Sequence, residues 1–211
     1  MPDDRRVRIN CWCFHPDDEF VADGHFNSRI VHFSKDGRFI NIIGGTKGSA
    51  PGQFEVPHAI VIDSKGRLIV ADEQSTAHNA RIQIFDQNGK FIEQWTDIGL
   101  EQPTGLAITA DDTVYVGDTD GNSITILKNG KVIDVIGFLQ ARPHNIAIDP
   151  GTGVIYLTDP PTPMLAGGIF GGAAQAAAQR GNGQGNTGAG SVDRTQERVQ
   201  GGLVKQVIKK K

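Results

Sequence analysis

The chain has 211 residues, a formal net charge of −3 and 38% hydrophobic residues, and this length is enough to bury the core of one large domain. The low charge gives no reason to expect a nucleic acid or an anionic membrane surface as a partner. No apolar stretch approaches the roughly 18 residues that a membrane span needs, and the first residues lack the apolar segment of a secretory signal. We therefore expect no nucleic-acid or membrane partner, and localisation stays open.

Two cysteines, Cys11 and Cys13, lie two positions apart on the first predicted strand. Alternation puts both on one face of the strand with their Cα atoms about 7 Å apart, which is too far for an unstrained disulfide. A metal site would need more ligands nearby. We therefore expect buried or reduced structural thiols.

A short apolar strand that ends in aspartate recurs about every 40 to 50 residues, a period typical of repeat architectures. The four aspartates are Asp23, Asp72, Asp118 and Asp159. Two more apolar strands follow each of the first three, and between them lie Asp36-Gly37, Asn88-Gly89 and Asn129-Gly130. These dipeptides favour tight hairpins. Four short antiparallel strands per repeat predict an all-β fold, a β-propeller with about four blades over residues 7–159.

Several polar side chains of the repeats are given structural roles. Because the aspartates recur in every blade, we expect them to hydrogen-bond within turns rather than to catalyse. Arg29 and Arg81 occupy one repeat position, and we predict that they form ion pairs from blade to blade or stack. His15, His32 and His78 are predicted to lie on the surface.

The composition changes after Asp159. Residues 160–202 are rich in Gly, Ala and Gln and cannot bury enough apolar surface to offset their ordering entropy, so we predict a disordered insertion. Residues 203–211 resume an alternating pattern and end in lysines, which predicts a returning strand of blade four and a basic C-terminus.

The number of repeats bears on association. Propellers have about four to eight blades, and we expect an open arc from a larger propeller rather than a closed ring of four. An open arc leaves strand edges unpaired. We therefore predict self-association through those edges.

A proline followed by a polar residue opens the first strand of three blades, at Pro57-His58, Pro103-Thr104 and Pro143-His144. Successive blades project equivalent positions toward one central channel, so His58 and His144 are predicted to converge there as metal ligands. The alternative is structural, with each histidine hydrogen-bonded to the backbone of a neighbouring blade. Catalytic zinc takes about three protein ligands, so the two histidines in register leave both interpretations open.

Two parts of the chain resemble known sequences. Residues 48–58, with residues 70–72 and 81–85, resemble an NHL repeat. Residues 21–33 are similar to the peptidyl-α-hydroxyglycine α-amidating lyase family, and the two proline-histidine pairs follow in that family's order. The resemblance covers residues 9–159.

The resemblance implies a six-bladed NHL propeller of which this chain holds the last four blades. It implies a lyase, often secreted or periplasmic, that cleaves a hydroxyglycine-ended peptide into a peptide amide and glyoxylate. Such a lyase holds zinc with three histidines and a calcium ion nearby. His58 and His144 match two of the zinc histidines, and His25 stands where the family has its catalytic tyrosine. Asn145 stands where the family has a calcium-binding aspartate, and the remaining zinc histidine and an arginine are expected outside this chain.

Two functional hypotheses follow from the residues and the resemblance. The first is a zinc-dependent peptidyl-α-hydroxyglycine lyase, incomplete or degenerate in this chain, with His58 and His144 as metal ligands and His25 as a catalytic group. The second is a non-catalytic NHL propeller that binds a peptide or a protein on its loop face.

Overall fold

The computed structural model describes residues 11–73, 80–137, 141–158, 192–199 and 203–210. Within these ranges the regular structure consists of β-strands. This part of the chain contains no helix with the length and apolarity to cross a membrane. The all-β prediction is confirmed.

Three complete four-stranded antiparallel blades follow one another along the chain. The first consists of β1 (Cys11–Phe14), β2 (Asp18–Asp23), β3 (Arg29–Ser34) and β4 (Phe39–Gly44). The second consists of β5 (Val56–Ile62), β6 (Leu68–Glu73), β7 (Arg81–Phe85) and β8 (Phe91–Trp95). The third consists of β9 (Pro103–Ile108), β10 (Thr113–Asp118), β11 (Ser123–Lys128) and β12 (Lys131–Gly137). A fourth sheet begins with β13 (Asn145–Ile148) and β14 (Ile155–Thr158), and the first strands β1, β5, β9 and β13 lie side by side in that order.

The hairpin turns adopt the backbone conformation that their dipeptides predict. Asn129 and Gly130 both have positive φ, 50° and 73°, as a two-residue type I′ turn requires. Gly37 and Gly89 also have positive φ, 79° and 91°. These turns fix the length of each outer hairpin and therefore the registers of the blades.

The hydrophobic core lies between the blades. Leu68 and Val70 of β6 pack with side chains of the first blade, whereas Ile69 and Ala71 pack with side chains of the third. A further cluster joins the third blade to the fourth sheet; its buried members are Ile124, Ile126, Ile136, Ile155 and Leu157. Since both faces of a middle strand are covered, every position of β6 is buried, which explains its continuous apolar run.

Because both faces of a middle strand are covered, one histidine that we predicted to lie on the surface is buried. His32 of β3 is only 4% exposed, and its ring stacks on Phe20 with 4.3 Å between centroids. The prediction of a surface position is wrong because alternation does not lead to solvent in a strand that is buried on both sides. His15 is half-buried, with its Nε2 3.3 Å from Nε2 of Gln87, and His78 lies outside the described residues.

The C-terminal segment differs from the predicted boundaries. A strand, β15 (Val192–Val199), lies inside the range 160–202 that we predicted to be disordered, and it pairs antiparallel with β16 (Leu203–Lys210). The disorder prediction rested on the composition of the whole range 160–202, whereas the strand itself contains no glycine. Strand β16 runs alongside β14. The rest of 160–202 lies outside the described residues, and the division into domains stays a prediction.

Arg81 has a different role from the predicted blade-to-blade ion pair. Its guanidinium is fully buried and pairs with Asp72 of its own blade, with Nε 3.0 Å from Oδ2. The remaining N–H groups donate to carbonyl oxygens of the connector before β5, those of Gly48, Ser49 and Gln53. The prediction was wrong because the repeat position pairs with the aspartate across one β-hairpin, Asp72 opposite Arg81.

We expect Arg81→Met to lower the free energy of unfolding by about 3 to 5 kcal/mol, because it leaves a buried carboxylate without its partner. Burial raises the pKa of Asp72 to about 6, against the opposing effect of Arg81, so at pH 7.5 the carboxylate of the parent chain is ionised and the ion pair is intact. Urea denaturation of the whole chain gives the value.

The matched control is Lys35→Met, since Lys35 pairs with Asp17 while both side chains are more than two-thirds exposed. Exposed pairs contribute about 0 to 1 kcal/mol. Equal losses in the two variants would contradict the assignment of Arg81 as a structural anchor.

The cysteines are free thiols, as predicted, and both are partly buried. Burial, with a smaller effect of Cys11, raises the pKa of Cys13 to about 12. Since the thiolate is the reactive species, alkylation of Cys13 by iodoacetamide at pH 8 is expected to be slower than that of an ordinary thiol by roughly three orders of magnitude. Mass spectrometry of a Cys11→Ala chain measures it. The same chain in guanidinium chloride is the control, and equal rates in both states would disprove the prediction.

Candidate metal centre

The repeated aspartates hold the backbone that leads into the first strand of each blade. Asp72 Oδ1 accepts hydrogen bonds from the backbone N–H groups of Glu55 and Val56, both at 2.9 Å. Asp118 does the same one blade later, accepting from the N–H groups of Glu101 and Gln102. These aspartates thus hydrogen-bond, but to the connector before the first strand of the blade rather than within a turn, and they fix the residues immediately before Pro57-His58 and Pro103-Thr104.

A β-bulge in the first strand of the second and of the third blade sets the direction of one side chain in each. Pro57 pairs with Asp72 and Ala59 with Ala71, so His58 is the extra residue of strand β5. In the third blade the same irregularity makes Thr104 the extra residue, between pairs Pro103 with Asp118 and Gly105 with Gly117. Bulges commonly redirect a side chain near functional sites. The bulge explains why the proline-histidine signal marks an inward-facing residue.

The segment that carries His144 packs closely against the backbone of the third blade. A Cβ atom added to Gly105 would lie 2.7 Å from the carbonyl oxygen of His144, and one added to Gly117 would lie 2.9 Å from that of Pro143. Both glycines therefore make room for the segment that carries His144. Its N–H donates to the carbonyl oxygen of Thr158 at 2.9 Å, which continues the pairing of β13 with β14.

His25 lies in the turn between β2 and β3, and the aspartate of the first blade holds this turn. Asn27 Nδ2 is 2.9 Å from each carboxylate oxygen of Asp23, and Arg29 Nε is 2.8 Å from Oδ2. The His25 side chain is exposed. It is therefore accessible to a ligand in solution.

The structure brings the three predicted site residues together. The ring of His58 stands edge-on to that of His25 at 5.6 Å between centroids, and edge-on to that of His144 at 4.8 Å. His58 is 3% exposed, and its Nδ1 lies 2.7 Å from the carbonyl oxygen of Thr104. A carbonyl oxygen only accepts, so Nδ1 carries the proton and Nε2 keeps its lone pair. Three histidines from the first, second and fourth sheets thus share one cluster.

Glu73 joins this cluster, although the sequence analysis did not select it. Its Oε2 is 3.7 Å from His58 Nε2 and has no hydrogen-bond partner among the described residues. Ligand atoms of His25, His58 and Glu73 all lie within 4.8 Å of one another. We call His25, His58, His144 and Glu73 the channel cluster.

The repeats contained a signal for Glu73. It directly follows Asp72, and the equivalent positions after Asp23 and Asp118 are Gly24 and Thr119. In the third blade this residue contacts the bulged one, with 2.5 Å between the hydroxyl oxygens of Thr119 and Thr104. Aligning the residue after each aspartate therefore singles out Glu73 as the carboxylate among these positions, and the bulge that brings it beside His58 is visible only in the structure.

Burial sets the charge state of the cluster. It lowers the pKa of His58, although the hydrogen bond to Thr104 acts the other way, and it lowers the pKa of His144 with help from His58. Both rings are therefore favoured as neutral imidazoles, the form that binds metal ions. Burial raises the pKa of Glu73, whereas Gln102 and the nearby histidines act to lower it.

The donor set favours a transition metal over calcium. Imidazole nitrogens with a carboxylate suit zinc, whereas calcium takes about six to eight oxygen ligands. Asn145, at the position of the calcium ligand implied by the resemblance, has an exposed side chain. Among the described residues, the group of His25, His58 and Glu73 is the one whose ligand atoms converge in this way.

The tautomer of His58 can be tested directly. We expect nitrogen NMR of the chain at pH 7 to show a protonated Nδ1 and an unprotonated Nε2, because the Thr104 carbonyl requires a donor. His15 is the comparison residue, since no backbone carbonyl of the described residues accepts a hydrogen bond from its ring. A His58 ring protonated on Nε2 would contradict the assignment.

Comparison with known proteins shows that the chain is similar to NHL-repeat proteins and to amidating enzymes. The NHL repeat family model matches residues 54–85. Peptidyl-glycine alpha-amidating monooxygenase B of Xenopus laevis is 37% identical over 161 residues, 66% of this chain and 18% of that protein. Human NHL repeat-containing protein 3 is 29% identical over 65% of this chain and 42% of that protein. The Caenorhabditis elegans probable peptidyl-alpha-hydroxyglycine alpha-amidating lyase is 34% identical over 43% of this chain and 24% of that protein.

Solved structures agree on the fold. Virginiamycin B lyase from Staphylococcus aureus superposes with a TM-score of 0.57 at 14% identity, over 74% of this chain and 50% of that one. The WD40 repeats of RRP9 superpose with a TM-score of 0.58 at 15% identity, over 74% of this chain and 46% of that one. The chain thus spans at most about half of these proteins. The β-propeller prediction and the resemblance to NHL and amidating proteins are confirmed; the number of blades in a complete ring stays a prediction.

Proposed function

We propose that the channel cluster binds zinc and that the chain acts as a lyase on peptides ending in α-hydroxyglycine, releasing a peptide amide and glyoxylate. The observation that carries this proposal is the proximity of three histidine rings that come from three different repeats. The similarity to amidating enzymes, one of them named as a probable lyase of this kind, supports the substrate class.

The fit of zinc can be judged from the side chains alone. His58 Nε2 has an available lone pair, and a buried Glu73 oxygen that has no hydrogen-bond partner in the described part of the chain faces it at 3.7 Å. A buried carboxylate without a partner is costly, and a cation between the two groups would remove that cost. In the proposal His58 and His144 hold the ion. Zinc supplies Lewis-acid stabilisation of negative charge on oxygen.

The reaction needs no oxidant. The bond between the hydroxylated carbon and the amide nitrogen breaks, the nitrogen keeps the electron pair and gains a proton, and the hydroxyl loses its proton as the carbonyl of glyoxylate forms. A side chain that accepts the hydroxyl proton must be reachable from solvent and close to the ligands. His25 meets both conditions, because it is exposed and its ring lies 5.6 Å from that of His58.

Zinc titration by calorimetry, followed by an assay of glyoxylate release from a hydroxyglycine peptide, tests the proposal. We expect saturable zinc binding by the whole chain and zinc-dependent glyoxylate release. A His58→Ala, His144→Ala double variant is expected to bind zinc at least about a hundredfold more weakly. His25→Ala is expected to keep zinc and to lose most of the release.

The control variant is His15→Ala, which removes a histidine outside the cluster and is expected to change neither quantity. Zinc uptake equal to that of the double variant would overturn the metal site. Zinc uptake without glyoxylate would overturn the lyase and favour the second hypothesis, a non-catalytic propeller that binds a peptide or protein partner. Self-association through open strand edges stays a separate prediction.

A further inference from the structure

The carboxylate of Glu73 is built into the channel cluster in a way that ordinary packing does not explain. Its side chain is 9% exposed and faces His58, which is 4% exposed. One carboxylate oxygen, Oε1, accepts a hydrogen bond from Nε2 of Gln102. The other, Oε2, has no hydrogen-bond partner among the described residues.

We propose that Glu73 Oε2 binds the same metal ion as His58 Nε2, so that the second blade supplies a histidine and a carboxylate to one site. The resemblance supplies only histidines as zinc ligands, and Glu73 adds a protein ligand of a different chemical class. This inference rests on the metal-binding part of the proposed function and not on the lyase reaction. Two histidines with one carboxylate and an open position form an established type of catalytic zinc site.

The separation of the two ligand atoms agrees with this role. Bonds of about 2.1 Å to zinc at a tetrahedral angle put two ligand atoms roughly 3.4 Å apart. The observed distance from Oε2 to Nε2 is 3.7 Å. A direct hydrogen bond would bring the atoms to about 2.9 Å, so the pair stands at the spacing of two ligands rather than of a donor and an acceptor.

The tautomer of His58 supports the same conclusion. Because Nδ1 donates to the Thr104 carbonyl at 2.7 Å, the neutral ring has no second proton to offer Glu73. Two lone-pair atoms therefore face each other in a buried place. A proton shared by the two atoms would bring them to hydrogen-bond distance, about 2.9 Å, so at 3.7 Å a metal cation is the partner that satisfies both.

In the third blade the same two positions hold residues to which we assign no metal role, and their side chains interact differently. There the bulged residue is Thr104 and the residue after the aspartate is Thr119, and their hydroxyl oxygens meet at 2.5 Å. Both hydroxyls also approach the carbonyl oxygen of Pro143. In the third blade the two side chains form a direct hydrogen bond, whereas in the second blade Glu73 Oε2 and His58 Nε2 stay 3.7 Å apart.

Gln102 keeps the carboxylate in place from the neighbouring blade. Its side chain donates to Glu73, and its backbone N–H donates to Asp118 Oδ1 at 2.6 Å. Ligating carboxylates are commonly supported by such a hydrogen bond, which fixes their orientation. We therefore infer that Gln102 positions the ligand oxygen.

The test compares zinc affinity in three variants of the whole chain by calorimetry, with the visible absorption of bound cobalt as a second readout. Glu73→Gln keeps the size of the side chain and its acceptor for Gln102, and it is expected to weaken zinc binding at least about a hundredfold. Gln102→Leu keeps the carboxylate of Glu73 but removes its hydrogen bond, and this variant is expected to weaken zinc binding about ten- to a hundredfold. Glu93→Gln is the matched control on an exposed side chain of β8 and is expected to leave zinc binding unchanged.

The cobalt spectrum separates a ligand from a structural residue, because only a ligand changes the coordination sphere. We expect Glu73→Gln to alter the position and intensity of the cobalt bands while the metal-free chain stays at least as resistant to urea as the parent. Unaltered zinc affinity and cobalt bands in Glu73→Gln, with loss of both in His58→Ala, would overturn the role of Glu73 and leave the metal site intact. If Glu73→Gln does not fold, unchanged zinc affinity in Gln102→Leu overturns the proposal instead.

Failure of the proposed lyase reaction would give a different set of results from failure of the Glu73 ligand. Weakened zinc binding in Glu73→Gln together with no glyoxylate from the zinc-loaded parent chain would support the carboxylate ligand and overturn the reaction. No zinc uptake by the parent chain would overturn both.

Discussion

The buried ion pair of Asp72 and Arg81 is the interaction on which the position of the candidate site depends. Its two side chains are 1% and 0% exposed, and charges buried this deeply are tolerated only when their hydrogen-bonding capacity is used. Asp72 accepts from two backbone N–H groups, and Arg81 donates to three connector carbonyls. The pair therefore fixes the chain on both sides of the connector. His58 follows at once, so its direction is determined by this anchor.

The aspartate is the constant part of the anchor, and the arginine is the variable part. Asp23 and Asp72 stand opposite arginines, Arg29 and Arg81, whereas Asp118 stands opposite Ser123. The carboxylate of Asp118 nevertheless accepts three backbone hydrogen bonds. Holding the approach to the first strand thus needs only the carboxylate. The arginine serves the longer connector before β5, since three carbonyl groups of that connector accept its N–H groups.

Much of the architecture was predictable because each blade repeats the same local chemistry. Gly-containing turns and apolar strands predict the hairpins, and the proline before His58 and His144 marks where the inner strands begin. The predictions failed where a side chain's environment comes from a neighbouring blade. His32 was predicted to lie on the surface because the sequence of its own strand does not show that other residues cover both faces of that strand. Glu73 was missed because its proximity to His58 arises from a bulge, which shifts the register and is invisible in the repeat pattern.

The geometry of a propeller explains why a compact metal site benefits from two ligands of one blade. Ligand atoms around a tetrahedral zinc ion stand roughly 3.4 Å apart. Within one blade, paired strands place opposing Cβ atoms about 4.5 to 5.5 Å apart, and the bulge at His58 turns its ring toward the end of β6. A histidine and a glutamate on these strands therefore reach the required spacing without moving the blades. The fourth sheet then needs to contribute only His144 as a further ligand, and His25 of the first blade stays available to accept a proton.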